Sequence, residues 1–354
     1  MRGMMKGEMN DAEHETNVEG SSAEDELVPT LVEQPGAGGG VGHATGPGGA
    51  VDAGAQARHA DEAEAGGFDH LRETARELET AIGLGPGSTD KPPLPRVLAI
   101  ANQKGGVGKT TTAVNLGASL AELGYRVLVI DLDPQGNATT GLGVNARNLE
   151  SSVYDVILHD VPIEDCIEPT NVRNLFVVPA TIDLAGAEIE LVPLVAREAR
   201  LGRAIAEFDT AELDYVLIDC PPSLGLLTVN ALVAAPEVLI PIQCEYYALE
   251  GLEQLLRTIE LVKSHLNPGL SVSTILLTMF DSRTRLASQV AEEVRSHFGD
   301  LVLSSVIPRS VRVSEAPSYG QSVMTYDPGS NGAVAYLEAA REMAYRSAGA
   351  GQAP

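Results

Sequence analysis

The chain has 354 residues, with 24 Lys+Arg against 49 Asp+Glu and a formal net charge of -25. That acid excess excludes a protein that coats nucleic acid constitutively, because phosphate neutralisation needs cationic surface. Three widely spaced cysteines, Cys166, Cys220 and Cys244, form no CxxC pair, which argues against a disulfide scaffold and a zinc knuckle. With no apolar run of membrane-spanning length and no signal-type leader, the expectation is a reduced, cytoplasmic protein that makes no membrane contact.

Residues 1–67 are acidic and rich in Gly and Ala, as in PGAGGGVGHATGPGG at 35–49, and are expected to be disordered because they cannot bury enough apolar surface to offset ordering. Residues 1–95 carry 18 acidic and 6 basic side chains, so nearly half of the net charge precedes residue 96. Phe68, Leu71, Ala75, Leu78 and Ile82 recur at helical spacing. This predicts a short amphipathic helix that packs on the folded part, docks a partner or self-associates. The proline-rich PGSTDKPPLPR at 86–96 reads as a linker, so 68–95 is helix plus linker. From residue 96 onward, apolar runs at 97–101, 127–130, 175–178, 215–218, 238–242 and 273–277 alternate with helical patterns such as 109–123, 248–265 and 285–298. Alternation of this kind predicts an α/β fold, a doubly wound, mostly parallel sheet flanked by helices. The domain is placed at 96–346 and a flexible tail at 347–354.

The chemistry starts at the end of the first strand with Ala101-Asn-Gln-Lys-Gly-Gly-Val-Gly-Lys-Thr-Thr-Thr112. A glycine turn between strand and helix offers backbone N–H groups and a positive helix end to a phosphate chain. In this P-loop, Lys109 is the lysine for the terminal phosphates and the Thr110 hydroxyl the ligand for Mg2+. Gln103 stands where the strict pattern has glycine, and a second lysine, Lys104, precedes Gly105 and Gly106. Asp131 and Asp133 end the next strand, two residues apart and expected on one face, one to orient water and the other to hold a lysine or the metal shell. Asp219 ends the strand Tyr215-Val-Leu-Ile-Asp219, the place of a Mg2+ carboxylate.

KGGVGKTTT, DLDPQGNAT and LIDCPPSLG together resemble the deviant Walker A ATPases, and among them the ParA/Soj partitioning proteins; IPIQCEYYALEGL, TMFDSRTRL, IPRSVRVSEAPSYG and YDPGSNGAVAYLEAA extend the likeness over 96–346. The resemblance implies ATP and Mg2+ as ligands and an ATP-dependent sandwich homodimer. It implies an ATP site of Lys104, Gly105, Gly106, Val107, Gly108, Lys109, Thr110 and Thr111, with Met279, Pro308 and Arg309 framing the adenine. Lys104 would reach the phosphates of the other subunit, Asp133 would place the attacking water, and Asp219 would hold the Mg2+ shell. It further implies non-specific binding of double-stranded DNA through Arg283 and Arg312, a nucleoid-associated location, and a ParB-type centromere-binding partner that stimulates hydrolysis. The basic residues of 281–312 (Arg283, Arg285, Arg295, Arg309, Arg312) outnumber its acids by one, modest support for a local DNA-binding patch. The resemblance does not cover residues 1–95, for which contact with a polar or scaffold protein is the role to test.

Overall fold

Runs of Val, Ile and Leu that are apolar on both sides build one eight-stranded sheet in the computed structural model, which describes residues 94–248 and 252–348. The expected disorder of 1–67, the helix at 68–82 and residues 349–354 of the tail placed at 347–354 lie outside the described residues, while residues 347 and 348 belong to the last helix. The strands are β1 (Arg96–Ile100), β2 (Val127–Asp131), β3 (Glu168–Pro169), β4 (Leu175–Val178), β5 (Tyr215–Asp219), β6 (Glu237–Gln243), β7 (Ser271–Phe280) and β8 (Val302–Pro308). Their order is β3-β4-β2-β5-β1-β6-β7-β8. Only the two-residue β3 runs antiparallel to its neighbour; every other pairing is parallel.

The described helices of eight residues or more are α1 (Lys109–Glu122), α2 (Leu184–Leu191), α3 (Arg200–Glu207), α4 (Leu226–Ala234), α5 (Leu252–His265), α6 (Arg285–Phe298) and α7 (Asn331–Ala348). Side chains alternate across the sheet, so each strand feeds two cores. On β1, Val97 and Ala99 join the core under α2 to α6, while Leu98 and Ile100 join the core under α1 and α7. This is the doubly wound architecture expected from the sequence.

Helix α1 lies close to the sheet because residue 117 is glycine. A Cβ there would stand 3.3 Å from both Leu175 Cδ1 and Val129 Cγ2. Glycine inside a helix costs roughly 0.5–1 kcal/mol relative to alanine, and here the close approach offsets it. At the N-terminal ends of the central strands, away from α1's N-terminus, Arg96 pairs with Glu237 through two hydrogen bonds of 2.9 and 2.5 Å, both side chains buried. The same guanidinium donates to the Met343 carbonyl at 3.3 Å, tying α7 to the central strands.

The central position of β1, between β5 and β6, fixes where ligands can bind. Connections leave β1 and β5 toward opposite halves of the sheet, and at such a switch point the loops part to leave a crevice at the strands' C-terminal ends.

Candidate nucleotide site

Three adjacent strands deliver the site. The loop after β1 carries residues 101–108, and Gly106 (φ 74°) and Gly108 (φ 92°) take the left-handed backbone that glycine tolerates. A Cβ at Gly105 or Gly106 would meet nothing within 4 Å, so the turn faces open space. Gly108 precedes α1, and no side chain caps that end. The first N–H groups of α1 have no intrahelical acceptor and point with the helix dipole toward the crevice.

Several side chains hold the loop in shape, and motif reading missed them. Asn102 is buried, donates to the Pro241 carbonyl at 2.8 Å and accepts from the Lys104 N–H at 3.0 Å. The Thr278 hydroxyl, from β7, donates to the Val107 carbonyl at 2.8 Å. Gln103, the departure from the strict glycine pattern, donates to Gln254 of α5 at 2.8 Å. No local signal marks these residues, because their partners lie on distant strands and helices.

Lys109 is buried and its Nζ donates to the Lys104 carbonyl at 3.2 Å. Burial lowers its affinity for the proton, and the negative charges of Asp219 and Asp133 oppose that effect. Asp219 is fully buried at the end of β5, directly across from Ile100 on β1 and Asp131 on β2. Neither of its carboxylate oxygens has a hydrogen-bond partner. Burial and the neighbouring Asp131 push its pKa well above the usual carboxylate range, and the nearby Thr110 hydroxyl counters this only in part without forming a hydrogen bond of normal geometry. A buried carboxylate without a donor is costly. A divalent cation between Thr110 and Asp219 would relieve that cost, so these residues fit Mg2+. Among the described residues no group of three or more His, Cys, Asp or Glu could hold a metal by itself.

The two acids after β2 part company. The expectation of a pair on one strand face is corrected, because β2 ends at Asp131 and Asp133 lies in the following loop. Asp131 is fully buried and accepts from the Thr139 N–H (2.8 Å), the Thr139 hydroxyl (2.7 Å) and the Asp133 N–H (3.1 Å). Its hydrogen bonds hold the loop that follows β2. Asp133 is half-buried and accepts only a local bond, from the Gln135 N–H at 3.0 Å. It remains available to a ligand beside Lys109.

The remaining predicted residues lie beyond the P-loop. Met279 sits at the end of β7 with φ 51°, an unusual backbone for a side chain of its size. Pro308 ends β8 opposite Phe280. The Arg309 N–H donates to the Phe280 carbonyl at 3.0 Å and its guanidinium to Glu245 at 3.0 Å. Arg283 and Arg312 are exposed, and both are paired. Arg283 grips Asp281 with bonds of 2.8 and 2.7 Å, and this pair holds the Asp281 carboxyl down at about 2. Arg312 contacts Glu315 at 3.1 Å and Asp327 at 3.3 Å. Cys166, Cys220 and Cys244 are free thiols buried in the core. Among the described residues, no helix is long and apolar enough to cross a membrane.

A phosphate-binding turn after the first central strand, a lysine and threonine opening the next helix, and an orphaned carboxylate one strand away define a P-loop nucleotide-binding protein. Comparison with known proteins narrows the class. Residues 95–272 match a family model described as an AAA domain. The chain is 59% identical over 249 residues to the sporulation initiation inhibitor protein Soj of Bacillus subtilis, covering 70% of this chain and 98% of Soj. It is 54% identical over 266 residues to the chromosome partitioning protein ParA of Myxococcus xanthus, covering 75% and 94% of the two chains. Among solved structures, cobyrinic acid a,c-diamide synthase from Mycobacterium smegmatis, determined with a bound ATP analog and magnesium, is 44% identical with a TM-score of 0.61, covering 70% of this chain and 93% of that one. The chain belongs to the ParA/Soj family of chromosome-partitioning ATPases.

Proposed function

We propose that this protein is an ATP-dependent DNA-partitioning switch. ATP and Mg2+ bind in the crevice, the loaded chain pairs with a second copy, and the dimer holds DNA without sequence preference until a ParB-type partner triggers hydrolysis. The observation that carries the nucleotide part is the buried, unpartnered Asp219 carboxylate set beside Thr110 and Lys109 beneath an open glycine turn. The Mg2+ that it and Thr110 would hold supplies charge neutralisation for the phosphates.

The protein's own groups do the positioning. The N–H groups of Gly105 to Thr111 wrap the phosphate chain. Lys109 exchanges the Lys104 carbonyl for phosphate oxygens, and Asp133 orients the attacking water. Lys104 adds a cation to the phosphates held by the second subunit, and Met279, Pro308 and Arg309 frame the base. Catalysis of this kind is placement and charge stabilisation rather than covalent chemistry. Arg283 and Arg312 meet DNA phosphates by exchanging their carboxylate partners, so the hold on DNA is weak per subunit and doubled by pairing.

Filter retention of labelled double-stranded DNA with ATP, ADP or no nucleotide tests the reading. Retention with ATP alone, abolished by Arg283→Glu with Arg312→Glu while ATP-dependent dimer mass persists, is the expected result. Retention by the double variant at the wild-type level would overturn the assignment of DNA to these arginines.

A further inference from the structure

Helix α2 has two apolar sides, and the described domain covers only one. Leu184, Ala187 and Leu191 are buried in the core. On the other side Ile182, Ala185, Ile189 and Val192 follow at steps of three, four and three residues. Ile182 and Val192 flank α2 yet keep its line. The Ala185 N–H donates to the Ile182 carbonyl at 3.0 Å, and the Val192 N–H to the Ile189 carbonyl at 3.2 Å. Ile182 is 69% exposed, Ile189 78% and Val192 56%, with Val195 at 89% just beyond. Of the thirteen large hydrophobic side chains exposed among the described residues, these four fall within fourteen positions, so apolar exposure concentrates here. The Asp183 and Glu190 carboxylates stand on one flank of this stripe and accept only from the neutral hydroxyls of Thr181 (3.3 Å) and Tyr154 (3.0 Å).

The sequence holds a matching stripe with no role in the site. Phe68, Leu71, Ala75, Leu78 and Ile82 are spaced by three, four, three and four residues, the same step as on α2, with an alanine between larger side chains just as Ala185 stands between isoleucines. Two helices with this spacing bury each other along a shared seam. Arg72 and Arg76 line one flank of the stripe together with Glu79, whereas Asp69, Glu73 and Glu77 fall on the far side. Cations on that flank complement the acids beside the α2 face. Residues 83–93 join the segment to Leu94, where the described chain begins. Fully extended, they reach at most about 40 Å. A five-residue strand such as β1 rises about 17 Å, so the tether is long enough to bring the segment to either end of the sheet. Such a tether also holds the two stripes at an effective concentration of about millimolar, at which a short seam can persist.

We propose that residues 68–82 fold back as a helix onto the outward face of α2 in the same chain, with Leu71 and Leu78 set against Ile182, Ile189 and Val192, and Arg72 and Arg76 beside Asp183 and Glu190. The extension is then a cover with two states. In the free chain it closes the largest apolar patch of the domain, and the face opens to any other molecule only when the segment leaves. This gives residues 68–82 a role that neither nucleotide nor DNA binding requires. The inference goes beyond the ATPase reading and does not depend on it, since neither stripe includes a residue assigned to ATP, Mg2+ or DNA.

The chain has no tryptophan, so Ile189→Trp in the full chain places a single fluorescent reporter on the face, and Val195→Trp places a second that leaves the seam intact. With the native segment, the emission should be blue-shifted and shielded from acrylamide, and dilution should not change it. Leu71→Ser with Leu78→Ser should redden the emission and remove the shielding. Both positions precede the described domain, so a cooperative melting transition should persist. Arg72→Glu with Arg76→Glu should also expose the reporter, and adding Asp183→Lys with Glu190→Lys should restore its shielding. Exposure of both reporters in chains with the native segment overturns the proposal, as does equal shielding in the serine variant. Shielding that fades on dilution assigns the face to a second copy and overturns it too. If the exchanged charges do not restore shielding, the pairing of Arg72 and Arg76 with Asp183 and Glu190 is overturned.

Discussion

Asp219 presents a tension between stability and function confined to one side chain. Its carboxylate is dehydrated, faces Asp131 across the sheet and has no donor. Asp219→Asn should therefore stabilise the metal-free protein, by about 1–3 kcal/mol, and at the same time abolish the gain in ATP affinity that Mg2+ confers. Thermal melts in chelator, set beside nucleotide binding with and without Mg2+, measure both; a lower melting point would mean that the carboxylate has a partner. Asp131 is the converse case, an acid fully occupied by the chain. Thr139 supplies two of its three hydrogen bonds, and its hydroxyl also accepts from the Ala180 N–H at 3.0 Å. Thr139→Ala should cost about 1–3 kcal/mol in urea denaturation. It should also slow hydrolysis more than it weakens ATP binding, because the loop it releases carries Asp133.

At the level of elements, parallel strands and close helix packing carry the site, and their tolerances differ. Gly117→Val should destabilise by about 1–3 kcal/mol through overpacking against Val129 and Leu175, whereas alanine should be nearly neutral, as chemical denaturation of the two variants would show. Glu237→Ala removes the carboxylate that answers a buried guanidinium, and the expected loss is about 3–5 kcal/mol. Most of this architecture could be read from the chain, since β1, β2, β4, β5 and β6 are largely apolar runs and β7 holds Ile275-Leu-Leu277 at its centre. Among the elements that escaped that reading, two did so for opposite reasons. In β8 the polar pair Ser304-Ser305 interrupts the apolar pattern; their N–H groups donate to Glu342 of α7 at 2.7 and 3.0 Å, a partner no local pattern announces. In α4, LLTVNALVA is apolar almost all round and so has no helical period to detect. Local motifs single out Lys109, Thr110 and Asp219 as candidates, and the fold places them together. Tertiary contacts have no such local sign, as where Thr139 occupies Asp131 or Asp281 holds Arg283.

The whole molecule carries -25, and Arg283 and Arg312, the two arginines proposed to meet DNA, are each already held by acids. Any grip on DNA must outcompete those carboxylates, so it should weaken steeply as salt rises, and Asp281→Asn should strengthen it by releasing Arg283. Retention of DNA across a salt series, for wild type and for Asp281→Asn, checks both. The order of the sheet bears on how the protein is made. Its first described strand is also a central one, and β1 finds its partner β5 only when Tyr215 arrives and its partner β6 only when Glu237 does. A growing chain therefore carries its phosphate loop on a strand with no neighbours until well past its midpoint, and the contacts from Pro241 and Thr278 that shape the loop come later still. Pairing so distant in sequence folds slowly, and the nascent β1, apolar on both faces, must be kept from other chains while it waits. Nucleotide can stabilise fully only molecules whose synthesis has passed β8, so ligand binding would discriminate complete domains from truncated ones at birth.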